Sequence, residues 1–130
     1  MQNSFSMTKQ KRILVVDDDL SILEVIKIIL EEENYHVTTA SKINTIDSLF
    51  RDNIPDLILL DIWMTGIDGR EIARRLKSHA KYKNIPIVVI SAHNDTPKMA
   101  KEAGADGFLP KPFDIPNLVA TVKKHTEKDS

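Results

Sequence analysis

The sequence predicts an α/β protein: a five-stranded parallel sheet, doubly wound by helices, built as a (βα) unit repeated five times. Two patterns predict it. Three short runs, Ile13–Val16, Leu57–Leu60 and Ile87–Ile90, are wholly apolar and bounded by polar residues or proline. Strands buried on both faces of a parallel sheet read this way. The segments between them repeat apolar residues at helical spacing, and such alternation gives a two-layered winding with right-handed crossovers. The length, 130 residues, suits one domain able to hide roughly two-thirds of its unfolded surface.

Taken in order, Ile13–Val16 is the first strand. Ser21 and Glu24 have the spacing of a capping box, and Ile22, Val25, Ile26 and Ile29 follow on one helical face. Glu31–Glu33 close that helix, and His36–Ala40 is a weaker strand. Ile43, Ile46 and Phe50 mark a second helical stripe, although Ser41, Asn44 and Thr45 are weak helix formers. Leu57–Leu60 leads to a third stripe of Ile72, Ala73 and Leu76. Ile87–Ile90 leads to Thr96-Pro97, an N-cap followed by proline at the first helical position. The helix after it has only Met99, Ala100 and Ala103 to bury, which places it among the least stable parts of the fold. Gly107–Leu109 is the last strand, and Asp114 caps a final helix carrying Leu118, Val119 and Val122.

The ends are polar. Residues 1–10 are expected to form a flexible leader without the apolar stretch of a secretory signal, and residues 11–127 the domain. His125 to Ser130 read as a frayed end. The composition, 42% hydrophobic and 28% charged, is that of a globular protein. With no cysteine, a disulfide scaffold and a thiolate site are impossible, and a cytoplasmic location fits. No apolar run approaches the roughly 20 residues of a membrane helix. A net charge of −1 excludes a generic nucleic-acid binder. That charge is nevertheless uneven: residues 17–34 hold seven acids and one lysine, and residues 70–83 hold six arginines and lysines and one glutamate. A solvated helix face is the simplest account of the basic segment, and a partner-docking stripe is its rival.

Ligands of such sheets bind at the carboxyl ends of the strands. There stand Asp17, Asp18 and Asp19 after the first strand, Asp61 after the third, Ser91 after the fourth and Lys111 after the fifth. Asp19 and Asp114 read as helix caps. Asp17, Asp18 and Asp61 would repel one another unless a cation intervenes or a pKa rises. A hard divalent ion with oxygen ligands resolves this, Mg²⁺ first because it also bridges phosphate oxygens, with Mn²⁺ as an alternative. Lys111 is then a point charge for an anion, and Ser91 a hydroxyl donor. A carboxylate, a metal, a hydroxyl and a lysine around one point describe phosphoryl transfer, with the carboxylate able to form an acyl phosphate.

The segments ILVVDDD (13–19), DLILLDIWMTGIDG (56–69), IPIVVISAH (85–93) and GADGFLPKPF (104–113) resemble the receiver domain of two-component response regulators, similar to the single-domain chemotaxis type. The resemblance covers about Arg12 to Lys124 and implies the flavodoxin-like receiver fold. It implies Asp61 as phosphoacceptor, and Asp17 and Asp18 as the acidic pair that holds Mg²⁺, Asp18 being the stronger candidate for direct ligation. Asp61 and the Trp63 backbone carbonyl would complete the protein ligands. Ser91 resembles the switch hydroxyl, Lys111 the phosphoryl-contacting lysine, and Lys111-Pro112 the family's cis peptide. Phe108 resembles the switch aromatic, with a plain core aromatic as the rival reading. Trp63 and His93, two positions beyond Asp61 and Ser91, fall where the family tunes the lifetime of phosphoaspartate. Met64-Thr65-Gly66 departs from the usual Met-Pro-Gly and leaves that loop less constrained.

The implied activity is acceptance of a phosphoryl group from a sensor histidine kinase or histidine phosphotransfer protein. Autodephosphorylation follows in place of enzymatic turnover. The output passes to a downstream protein or output domain, with no nucleic acid or membrane bound by this domain, as a monomer or weak phosphorylation-dependent dimer. Rival readings are a degenerate receiver acting as a docking module, an aspartyl-nucleophile phosphatase, and a flavin-binding module. The second wants another Asp where Trp63 stands. The third wants a phosphate loop where three acids stand.

Overall fold

The computed structural model describes residues 10–42, 50, 54–64, 67–92 and 96–127. Residues 1–9, the stripe residues Ile43 and Ile46, the Thr65-Gly66 pair, His93 and residues 128–130 lie outside them. The described elements are β1 (Arg12–Val16), α1 (Leu20–Glu32), β2 (His36–Ala40), β3 (Leu57–Asp61), β4 (Trp63–Met64), β5 (Ile67–Asp68), α2 (Gly69–Ser78), β6 (Ile87–Ser91), α3 (Thr96–Glu102), β7 (Gly107–Pro110) and α4 (Ile115–Thr126).

The main sheet has the order β2-β1-β3-β6-β7, and every pairing in it is parallel. The order reverses direction at β1, which places a crevice between the carboxyl ends of β1 and β3. Alternate strand residues face opposite layers. Ile13, Val15, Leu57, Leu59, Val88 and Ile90 pack with Leu23, Ile26 and Leu30 of α1 and Leu118 and Val122 of α4. Leu14, Val16, Ile58, Leu60 and Ile87 pack with Ile72, Ala73 and Leu76 of α2 and with Phe50. Both layers are therefore apolar, which is why the strand runs show no polar alternation.

Caps set the helix ends. Asp19, not Ser21, is the N-cap of α1, and its side chain accepts from the backbone N–H groups of Ser21 and Ile22. The Ser21–Glu24 capping box is thereby corrected in favour of the Asp19 cap: the helix starts two residues earlier than that box implies, at Leu20. Its C-terminus closes in a Schellman pattern, with Asn34 N–H donating to Glu31 O and Tyr35 N–H to Leu30 O, and Asn34 at φ 69°. Gly104, at φ 84°, closes α3 in the same way through Lys101 O and Ala100 O. Asp114 caps α4 by accepting from Asn117 N–H. The Gln10 amide donates to Asn34 O and Oδ1 at 3.2 and 3.1 Å.

Two features were not legible in the sequence. β3 and β6 each run one residue beyond their apolar cores, so Asp61 and Ser91 are themselves strand residues. Beyond β3, an antiparallel pair forms, with Trp63 opposite Asp68 and Met64 opposite Ile67.

Candidate functional site

The sheet gathers the chemistry-bearing residues at one edge. Asp17 follows β1, held by its N–H to Ala40 O at 3.1 Å. Asp61 ends β3 and Ser91 ends β6. Lys111 follows β7, with its N–H on Ser91 O at 2.9 Å, and its bond to Pro112 is cis. Each was expected here, and the fold brings all of them together.

Asp17 and Asp61 are 0% and 5% exposed, while Asp18 is exposed. One carboxylate oxygen from each of the three lies within 4.8 Å of the others. Lys111 Nζ donates to Asp17 Oδ2 at 2.7 Å and to Asp61 Oδ2 at 3.4 Å. Trp63 N–H donates to Asp61 Oδ1 at 2.9 Å, and Asp19 N–H to Asp17 Oδ1 at 2.9 Å. Burial pushes the Asp61 carboxyl up. The Trp63 hydrogen bond pulls it back, Asp17 adds to the rise, Lys111 opposes it, and the net direction is upward. Burial works against the charged Lys111, but the Asp17 hydrogen bond and the two carboxylates outweigh it, so its pKa lies above the ordinary value.

The oxygen-only donor set, tight enough for one small ion, fits a hard divalent cation of the Mg²⁺ type. An open cleft of about 500 Å³ lies over it, lined by Asp61, Trp63, Ser91, Ala92 and Lys111. The Trp63 ring is 45% exposed, and the Arg70 guanidinium lies 5.7 Å from its centroid.

Phe108 is 42% exposed, which corrects the plain core reading. On β7 it alternates with Leu109, and Leu109 takes the buried place. Gly69 is a site residue the motif reading missed. A Cβ there would come 2.5 Å from Ile62 Cα and 2.8 Å from Asp61 O, so only glycine lets α2 start against the end of β3. Its N–H donates to Ile62 O at 3.2 Å. The visible signal was glycine directly after the N-cap Asp68.

A family model described as response regulator receiver domain matches residues 13–123. The chain belongs to this family. The receiver is 39% identical over 115 residues to the phosphate regulon transcriptional regulatory protein PhoB of Pseudomonas aeruginosa, covering 87% of this chain and 50% of that protein. It is 34% identical over 124 residues to the DNA-binding response regulator MtrA of Mycobacterium bovis, covering 94% and 53%. It spans about half the length of these curated relatives. Among solved structures, the receiver domain of NtrX from Brucella abortus superposes with a TM-score of 0.79 at 32% identity, covering 88% of this chain and 98% of that one. The chemotaxis protein CheY4 of Vibrio cholerae gives 0.78 at 26%, covering 89% and 98%. The receiver is therefore a signalling domain of the two-component response-regulator type. No helix among the described residues is long and apolar enough to cross a membrane.

Proposed function

We propose that this receiver takes a phosphoryl group onto Asp61 from a sensor histidine kinase or histidine phosphotransfer protein. The observation that carries the reading is the Asp17–Lys111–Asp61 arrangement with Asp18 beside it. Asp17, Asp18, Asp61 and the Trp63 carbonyl would hold Mg²⁺, or Mn²⁺ in its place. A bound ion supplies neutralisation of the charge on the transferring group. Asp61 attacks phosphorus in line, and an O–P bond forms. The P–N bond of phosphohistidine breaks, with its electron pair returning to the imidazole nitrogen. Lys111 is placed to swing one donor to a phosphoryl oxygen, and Ser91 lines the same cleft as a second donor.

The outward Phe108 supports a resting conformer whose ring turns inward when Ser91 moves toward the phosphoryl group. Water later cleaves the acyl phosphate and regenerates Asp61, at a rate tuned by Trp63 and, from its sequence position, His93. Residues 11–127 form this working unit and residues 1–10 its leader. Its setting is the cytoplasm, its output a downstream protein or output domain, and its state a monomer or weak phosphorylation-dependent dimer.

Acetyl phosphate with Mg²⁺ is expected to label the wild type and not Asp61→Asn. Full labelling of that variant overturns the acceptor assignment.

A further inference from the structure

The basic segment that follows the acceptor loop is mostly paired locally. Arg74 and Arg75 reach Glu71, and Lys77 reaches Asp106. Arg70 differs, because it points back at the cleft. The β4–β5 pairing sets Trp63 directly opposite Asp68. Asp68 then grips Arg70 with both oxygens: Nε donates to Oδ1 at 3.0 Å and Nη2 to Oδ2 at 3.0 Å. The same Oδ1 accepts Arg70 N–H at 2.9 Å. Such a fork fixes the plane of the guanidinium. It lies 5.7 Å from the Trp63 ring centroid, within cation–π range. The ring in turn lines the cleft over Asp61.

We propose that Arg70, held by Asp68, is a positioning residue that clamps the Trp63 indole at the cleft mouth, so limiting water access and lengthening the life of the phosphorylated state. This rests on Asp61 being the phosphoacceptor. An unclamped indole at a half-open site exchanges among rotamers, and each departure opens the acyl phosphate to in-line attack by water. Lysine at position 70 keeps the charge but loses the fork, so it restores only part of the effect.

The test follows loss of label from acetyl-phosphate-treated protein in wild type, Arg70→Ala, Arg70→Lys, Trp63→Ala and the Arg70→Ala/Trp63→Ala double variant. Acrylamide quenching of Trp63 in the unphosphorylated proteins is the parallel readout, since it is the chain's single tryptophan. Arg70→Ala is expected to shorten the half-life about two- to five-fold, the range of a partly exposed cation–π contact, and to raise quenching. Arg70→Lys should fall between. The double variant should match Trp63→Ala, because both remove the same cover. An unchanged half-life in Arg70→Ala, an unchanged half-life in Trp63→Ala, or full additivity in the double variant overturns the clamp. If the wild type takes no label, the phosphoacceptor reading has failed and the clamp's role fails with it.

Discussion

Lys111 reaches two carboxylates, and its shorter hydrogen bond goes to Asp17, which has no exposed surface. Removing the ammonium strips that buried charge of its charged donor, while the Asp19 N–H still donates to Oδ1. Lys111→Met is expected to lose about 1–3 kcal/mol in metal-free urea unfolding. The pH dependence has a definite sign. The Lys111 pKa is raised above the ordinary 10.5, so its contribution is complete below the unfolded value and is lost as pH rises through the folded one. The stability gap between wild type and Lys111→Met should hold from about pH 7 to about pH 9 and narrow above that lysine range. Asp61 runs the other way. Its carboxyl is raised by burial, against the Trp63 hydrogen bond and with help from Asp17, so its ionised form costs stability, and that cost shrinks as pH falls through the raised value and is gone below the ordinary carboxylate value.

At this scale the strand-end residues were legible because each directly follows an apolar run or its proline. Gly69 was not, since its necessity lies in the approach of Ile62 and Asp61 backbone. The outward Phe108 was not either, since strand alternation with Leu109 decides it.

Elements carry the next two expectations. Gly69→Ala forces α2 away from the end of β3, because the atoms in its way are backbone and cannot rotate aside. A loss of about 1–3 kcal/mol, the usual cost of overpacking, is expected in urea unfolding, with slower labelling of Asp61 from acetyl phosphate. α3 and the residue after it bury little more than Ala100, Ala103 and a half-buried Met99, whereas α1 buries Leu23, Ile26 and Leu30. Native-state hydrogen exchange should therefore find α3 the fastest-exchanging of the described helices. Protection of α3 equal to that of α1 would overturn this expectation. The periodicity of these helices was readable, and so were the caps Asp19 and Asp114, but the choice between Asp19 and Ser21 was not. Ser21 and Asp19 are both competent caps, and the geometry with which the chain leaves β1 selects Asp19.

Across the whole molecule, the acidic charge of residues 17–34 splits into two roles. Asp17 and Asp18 join Asp61 at the sheet edge, while Asp19 caps α1. A cation that binds only the folded state raises stability by mass action, about 2.7 kcal/mol at a hundred times its dissociation constant. The unfolding midpoint of the wild type is expected to climb with Mg²⁺, and that of Asp18→Asn to climb far less. The gain should shrink as pH falls toward the raised Asp61 pKa, since protons and the cation compete for the same oxygens. An equal rise in both proteins would separate the stabilisation from this site.

The sequence by itself determined the layer order, the parallel sheet and the sheet edge that carries the chemistry. Strand runs apolar on both sides leave no other way to bury them, and residues that end neighbouring parallel strands must converge. Only the tertiary structure decided what those residues do to one another. Lys111 is 94 positions from Asp17, and which carboxylate it favours depends on burial that arises once five strands have assembled. The same holds for the basic stretch of residues 70–83. Its charges look alike in sequence, but the β4–β5 pairing turns Arg70 toward Trp63, while Arg74 and Arg75 pair with Glu71 on their own helix.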